Sequence, residues 1–248
     1  MDIFAIVGLF LGLAFILTGQ AMEGGNIGQL LQITAAFIVF GGTSGAVVLS
    51  FPPKVLALAV SYVKYVFFPP KVDMPVLISE IVEYATKARK EGVIVLEKEA
   101  KKASDPILKM GLEAVADGAD PTLVQSMMEN QITQFEGRVT VAAKVFEAFG
   151  GYSPTLGIIG AVLGLIQVMQ NLSDPSKLGA GIAVAFVATI YGLFAANLLM
   201  LPMSARIKVN FAEVLVAKEL MVEGVLSIQA GESPALIERK LNSFILVE

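Results

Sequence analysis

Charged residues in this chain fall in blocks, and the gaps between the blocks carry its clearest pattern. Ile3–Met22, Ile27–Pro53, Ala148–Ser173 and Leu178–Ala205 contain no Asp, Glu, Lys or Arg. Each gap reaches the roughly 20 residues that an α-helix needs to cross about 30 Å of hydrocarbon. The connectors Glu23–Asn26 and Asp174–Lys177 are long enough only for turns between antiparallel helices. The pattern therefore predicts four transmembrane helices in two hairpins. The first is no cleaved signal peptide, because Asp2 stands where a basic n-region belongs and no small-residue cleavage site precedes Glu23.

The polar blocks predict more helix. Pro52-Pro53 and Pro69-Pro70 bracket the apolar stretch Lys54–Phe68, which fits either an interfacial helix or an extension of the second span. From Pro75 to Lys102, Ile78, Ile81, Val82 and Ala85 form one stripe among charged residues, and Gly92 divides the segment. Asp105-Pro106 and Asp120-Pro121 each place a capping residue before a Pro at the first helical position. After the second of these, Val124, Met128, Ile132, Phe135, Val139, Ala142 and Phe146 recur at helical spacing, predicting one long helix that runs into the third span. Val209–Ile228 continues the fourth span, and Ser233-Pro234 caps a short last helix. There is no strand alternation and no internal repeat. The expected fold class is all-α, a polytopic membrane protein with four transmembrane helices and a helical cytoplasmic domain. Its segments are 1–53 (spans one and two), 54–147 (cytoplasmic, helical), 148–205 (spans three and four) and 206–248 (cytoplasmic C-terminal helices).

Composition narrows the function. Of 248 residues, 55% are hydrophobic and only 16% charged, where a soluble domain has about a quarter charged. The mean hydropathy is +0.73. A net charge of −4 argues against a nucleic-acid partner. The chain has no Cys and no His, which removes disulfides, thiolate chemistry, the commonest general base and the commonest zinc ligand. No metal site, no cofactor and no enzymatic activity are expected. Gly42-Thr43-Ser44-Gly45 is not a G-x-S-x-G elbow, and nothing here would activate Ser44. Of 18 Lys and Arg, twelve lie in Lys54–Glu147, five in Arg206–Glu248 and one, Lys177, on the other side. The positive-inside rule then places the long loop and both termini in the cytoplasm.

The spans hold no Asp, Glu, Lys or Arg, although intramembrane ionisable groups usually mark ion paths. Either this subunit transports nothing, or a partner chain supplies the titratable group. Small residues replace them: Gly8/Gly12 and Gly160/Gly164 form GxxxG pairs, Gly41, Gly42 and Gly45 crowd the second span, and Gly192 pairs with Ala196. Such positions serve close packing within the monomer or lateral assembly. Polar residues cluster at Tyr152, Ser153 and Thr155 near the start of the third span and at Thr189, Tyr191 and Asn197 in the fourth, and a Thr hydroxyl is readily satisfied by its own helix. Pro154 and Pro202 sit near span ends, and Gly150-Gly151 before Pro154 predicts a hinge.

These residues carry a resemblance. The stretch Gly151-YSPTLGIIGAVLGLIQVMQNLSDPSKLGAGIAVAFVATIYGLFAANLLMLP-Met203 resembles the paired third and fourth spans of the MotA family of flagellar stator subunits, with Pro154 and Pro202 at its two characteristic prolines. Lys87-ARKEGVIVLE-Lys98 is similar to the family's rotor-facing segment, which puts Arg89 and Glu97 at its charged pair. The resemblance implies a non-enzymatic stator subunit of the bacterial inner membrane. It implies a pentameric ring in the lipid bilayer around two copies of a MotB-like single-span partner that supplies the ion-binding aspartate, with torque passed to the rotor protein FliG. It also implies an ion pathway past Thr189, Ala161, Pro154 and Pro202. Sodium-driven relatives carry Thr where this chain has Ala161, so the expected ion is a proton, with sodium second. The competing reading is an ExbB/TolQ-like energiser of outer-membrane processes. Those relatives have three spans and a large loop after the first, whereas two spans precede the loop here.

Overall fold

A computed structural model describes residues 2–173 and 175–245, without the side chains of 175–177. The expected turn at Asp174 lies outside the described residues. Every regular element among them is helical. They are α1 (Ile3–Met22), α2 (Ile33–Ser50), α3 (Pro53–Phe67), α4 (Met74–Glu91), α5 (Leu96–Glu99), α6 (Pro106–Ala116), α7 (Pro121–Gln170), α8 (Pro175–Phe194), α9 (Leu201–Gln229) and α10 (Pro234–Asn242). Short 3-10 turns occupy Ile27–Leu30, Val93–Val95 and Ala100–Lys102, and the six residues Ala195–Met200 form a π turn joining α8 to α9.

Among the described residues, four helices are long and apolar enough to span a membrane: α1, α2, α7 and the continuous run Leu178–Gln229. Helix α1 is apolar all round and buries none of its residues within the chain, as a lipid-facing or assembly-facing span does. The chain divides into two compact units, Met1–Pro69 with Val139–Val209 and Pro70–Arg138 with Asn210–Glu248. Helix α7 contributes residues to both.

The spans sit in the first unit, where glycines govern the packing of α7 against α8. A Cβ added at Gly164 would lie 2.8 Å from both Ala185 N and Gly181 O, one at Gly157 would lie 2.9 Å from Ala188 O, and one at Gly192 would lie 2.5 Å from Ser153 O. Backbone meets backbone along this seam, so the third and fourth spans interlock where larger side chains would hold them apart. In contrast, a Cβ at Gly8, Gly41 or Gly45 would meet nothing within 4 Å. The GxxxG at Gly160/Gly164 is therefore a contact within the monomer, while Gly8, Gly41 and Gly45 leave open surface.

The charge-free run from Ile27 does not all become span. Asn26 caps a 3-10 turn at Ile27–Leu30 through a capping box with Gln29, the chain is extended at Leu31 and Gln32, and α2 begins only at Ile33. At its other end α2 stops at Ser50, and Phe51-Pro52 is extended, so Lys54–Phe68 is a separate amphipathic helix that buries Ala59, Tyr62 and Val66. Of the two readings open for that stretch, extension of the span is excluded.

Two prolines behave differently. Pro154 lies inside α7, which continues through it without a break, so the predicted hinge is not an interruption of the helix. Pro202 follows the π turn Ala195–Met200. The wider turn relieves the clash between a proline ring and the carbonyl four residues back, here that of Leu198.

In the second unit, Ile81, Leu96, Leu108, Leu112, Val124, Met128, Leu220, Val225, Ile237 and Leu241 form a fully packed core. Asp73, Asp105 and Ser233 cap α4, α6 and α10 through Val76, Ile107 and Leu236 amides, each just ahead of a proline in the first turn. Asp105 also pairs with the buried Lys218 at 3.0 Å, and that ammonium lies over the Phe135 ring.

Candidate functional site

The membrane residues singled out by sequence lie along the α7–α8 seam. A Gly192 Cβ would be 3.1 Å from Pro154 Cα, and a Gly157 Cβ would be 3.3 Å from Thr189 Cα. Pro154 and Thr189 thus face each other's helices about one turn apart. Ala161, one turn beyond Gly157, is half-buried, and so is Thr189. The Thr189 hydroxyl donates to Ala185 O at 3.3 Å, so its own helix satisfies it. Pro202 is exposed and stands apart from that seam, although a Cβ at Gly150 would meet its neighbour Leu201 at 2.8 Å.

Other span hydroxyls bond similarly: Thr43 to Val39 O, Thr155 to Tyr152 O, and Ser50 to both Ala46 O and Tyr152. The Ser153 hydroxyl is wholly buried and has no partner among the described residues. No group of three or more Asp and Glu that would hold a metal ion occurs among the described residues. The seam is an apolar, glycine-lined crossing with hydroxyls and no charge.

Charges begin just beyond the charge-free stretches Ala148–Ser173 and Leu178–Ala205 instead. Glu147 on α7 accepts from Ser204 at 3.1 Å and pairs with Lys208 at 2.6 Å. Asp2 caps α1 through the Ala5 amide, pairs with Arg206, and donates its own amide to Phe67 O at 2.7 Å. One residue thereby ties the starts of α1 and the end of α3 to the fourth-span helix.

Sequence reasoning missed the role of Tyr191. Its hydroxyl donates to Leu30 O at 2.6 Å and accepts from the Gln32 amide at 3.2 Å. The two groups it satisfies belong to the extended break before α2, where no helix supplies partners. Irregular backbone next to hydrocarbon persists only where protein satisfies it.

The charged pair lies in the second unit. Helix α4 ends at Gly92, whose φ of +85° is costly for any other residue. The chain then turns through Val93–Val95 into α5. Arg89 and Glu97 flank this turn, both exposed and neither in an ion pair within the described residues. Two residues away on either side the situation reverses. Glu99 is only 6% exposed and accepts from Lys87 at 2.8 Å and Lys102 at 2.9 Å. Those lysines hold its carboxyl down to about 2 against the burial that opposes them, and Lys87 is raised by Glu83 and Glu99. A carboxyl with a lowered pKa contributes stability above its unfolded value and loses it only as pH falls through the folded one. The clamp is thus closed at every physiological pH. The unpaired Arg89 and Glu97 are displayed by a turn that an ion triad around the buried Glu99 anchors.

Together these features define a membrane subunit whose spans build a close-packed, uncharged seam and whose helical extramembrane unit presents unpaired charges. Residues 99–219 match the MotA/TolQ/ExbB proton channel family, and residues 6–92 match the N-terminal region of motility protein A. The chain is 34% identical to the Bacillus subtilis protein YtxD over 98% of its own length and 90% of that protein's. It is 33% identical to motility protein A of Helicobacter pylori over 99% and 95%. Among solved structures, MotAB of C. jejuni contains a chain that superposes with a TM-score of 0.92 at 30% identity, covering 99% of this chain and 96% of that one. The chain belongs to the MotA/TolQ/ExbB proton channel family, on its motility protein A branch.

Proposed function

We propose that this chain is the membrane subunit of a bacterial flagellar stator that, with a MotB-like partner, converts an ion-motive force into torque. The observation that carries the reading is the end-to-end likeness to a chain of the C. jejuni MotAB structure. The match of residues 6–92 to the motility N-terminal region favours this over an ExbB/TolQ energiser, because those residues supply two spans ahead of the loop.

In this reading the protein sits in the inner membrane with both termini in the cytoplasm, supported by the distribution of Lys and Arg. Five copies surround two partner helices. The partner brings the aspartate, since the α7–α8 seam offers hydroxyls and no carboxylate. An aspartate is costly against apolar helices when charged and tolerable when protonated, so its protonation permits the ring to step past it. Each unit charge crossing 100 mV releases about 2.3 kcal/mol for that step. A proton fits better than sodium, because Ala161 presents only a methyl group and Thr189 offers a single hydroxyl oxygen, whereas hard cations need several oxygen ligands. Pro154 and Pro202 shape the helices along this path, and Arg89 and Glu97 meet the rotor protein FliG.

Native mass spectrometry of the chain co-expressed with its partner tests this assembly. The expected ion carries five copies of this chain and two of the partner. A ring of another count, or a chain that never retains the partner, would overturn the reading.

A further inference from the structure

Helix α3 is held at the membrane surface from both ends. Only Phe51 and Pro52 separate it from the span α2, and so short an extended link reaches about 10 Å at most. At its far end Phe67 O accepts from the amide of Asp2, the residue that caps the span α1. Spans α1 and α2 are successive crossings, so the start of one and the end of the other lie on the same face of the membrane. A helix of 15 residues, about 22 Å long, therefore runs along that face. Its sides differ in chemistry. Ala59, Tyr62 and Val66 are buried against the chain. Leu56, Val60, Val63 and Phe67 form a second apolar row at helical spacing, and Val60 is 71% exposed. Lys54 and Lys64 are exposed and in no ion pair among the described residues, whereas Arg206 and Lys208 of the same unit are spent on Asp2 and Glu147. Between Glu23 and Asp73 the chain carries Lys54, Lys64 and Lys71 and no acid at all.

We propose that α3 is a binding site for anionic phospholipid of the surrounding bilayer. The exposed apolar row sinks to the boundary between headgroups and acyl chains, as the apolar face of an in-plane helix does. The Lys54 and Lys64 stems lie along that boundary and carry their ammonium groups to the lipid phosphates. Two observations select this occupant. The attachment of both ends of α3 to membrane spans puts lipid headgroups beside it, and the only charges on the helix are cations without a protein partner. The bound lipid also steadies more than α3, because Asp2 links the end of this helix to the start of α1 and to Arg206. The proposal goes beyond the proposed function and depends on the membrane spans alone.

The chain contains no Trp, so an introduced one reports what touches α3. The reporters are Val60→Trp and, also on the exposed side, Ala57→Trp. Each is made in the full chain, co-expressed with its partner, and reconstituted into vesicles of phosphatidylglycerol and phosphatidylcholine in equal parts. Bromine is carried on the acyl chains of one lipid or the other, and quenching is read against the wild-type complex. Brominated phosphatidylglycerol should be preferred by at least about fivefold, the effect of one lysine at an anionic surface. Combining Lys54→Gln with Lys64→Gln should bring the two lipids to parity while melting temperature and complex mass stay unchanged. Lys109→Gln, which removes an exposed lysine of the other unit, should leave the preference intact. Equal quenching by the two lipids in the reporters with both lysines present would overturn the anionic site. Quenching by neither lipid, or an altered complex mass in the lysine variant, would assign this face to a contact with protein and overturn it too. Normal swimming after deletion of the whole gene is a separate result, which would refute the proposed function and leave the lipid site standing.

Discussion

A Gly164→Val variant is expected to fail as a folded membrane subunit. Even a bare Cβ at position 164 would sit 2.8 Å from Ala185 N and 2.8 Å from Gly181 O. Both are backbone atoms of α8, so no rotamer change relieves the clash and the helices must separate. Overpacking a tight core costs about 1–3 kcal/mol and occasionally more, and rigid backbone on both sides puts this site at or above the upper end. Separation would also open the seam against which Pro154 and Thr189 are set. At about 2–4 °C per kcal/mol for a chain of this size, the purified protein should melt about 6–12 °C lower, or not accumulate. Gly192→Ala should act likewise, since its Cβ would approach Ser153 O at 2.5 Å. Gly8→Ala, with nothing within 4 Å, should change the stability of the isolated chain by less than about 0.5 kcal/mol. Equal melting temperatures for Gly164→Val and Gly8→Ala would contradict the seam.

Tyr191→Phe should have the next largest effect. The change keeps the ring and its stacking on Phe40 at 5.8 Å and removes only the hydroxyl. Leu30 O and the Gln32 amide then lose their partner together. An orphaned buried polar group costs about 1–3 kcal/mol, and because this site is partly buried a total of about 2–3 kcal/mol is expected. The local signature is specific: the Gln32 amide should exchange with deuterium much faster while amides in the middle of α2 keep their protection. Unchanged exchange at Gln32 would mean that the break before α2 is held by something other than Tyr191.

These two sites also show where the sequence was informative and where it was silent. Span α1 was legible to its ends, because a lipid-facing helix is apolar on every side and its limits are set by Asp2 and Glu23. The capped starts at Asp105, Asp120 and Ser233 also depend only on neighbouring residues. The delayed start of α2 was not legible, since the group that stabilises the break comes from Tyr191, on another span and far along the chain. Glycine spacing marked Gly160 and Gly164 as packing positions, but composition cannot say which helix a glycine faces, and only the fold separates the seam glycines from the open Gly8, Gly41 and Gly45. In the polar loop, Lys87, Arg89, Glu97 and Glu99 look alike as letters. Burial divides them into a clamp and a displayed pair, and burial follows from core packing around Leu96 and Ala100.

The resemblance pointed to residues in both parts of the chain, and the structure brings some of them together. Pro154 and Thr189 meet across one seam, with Ala161 a turn further on, whereas Pro202 belongs to the π turn beyond it.

The measurement that tests the central claim most directly is deletion of this gene, together with any related stator genes, scoring swimming speed and counting filaments by electron microscopy in one culture. The account predicts normal filaments on cells that do not swim, restored by the wild-type gene. Unchanged swimming, accompanied by impaired iron uptake or a leaky envelope, would contradict it and favour an ExbB/TolQ-like role.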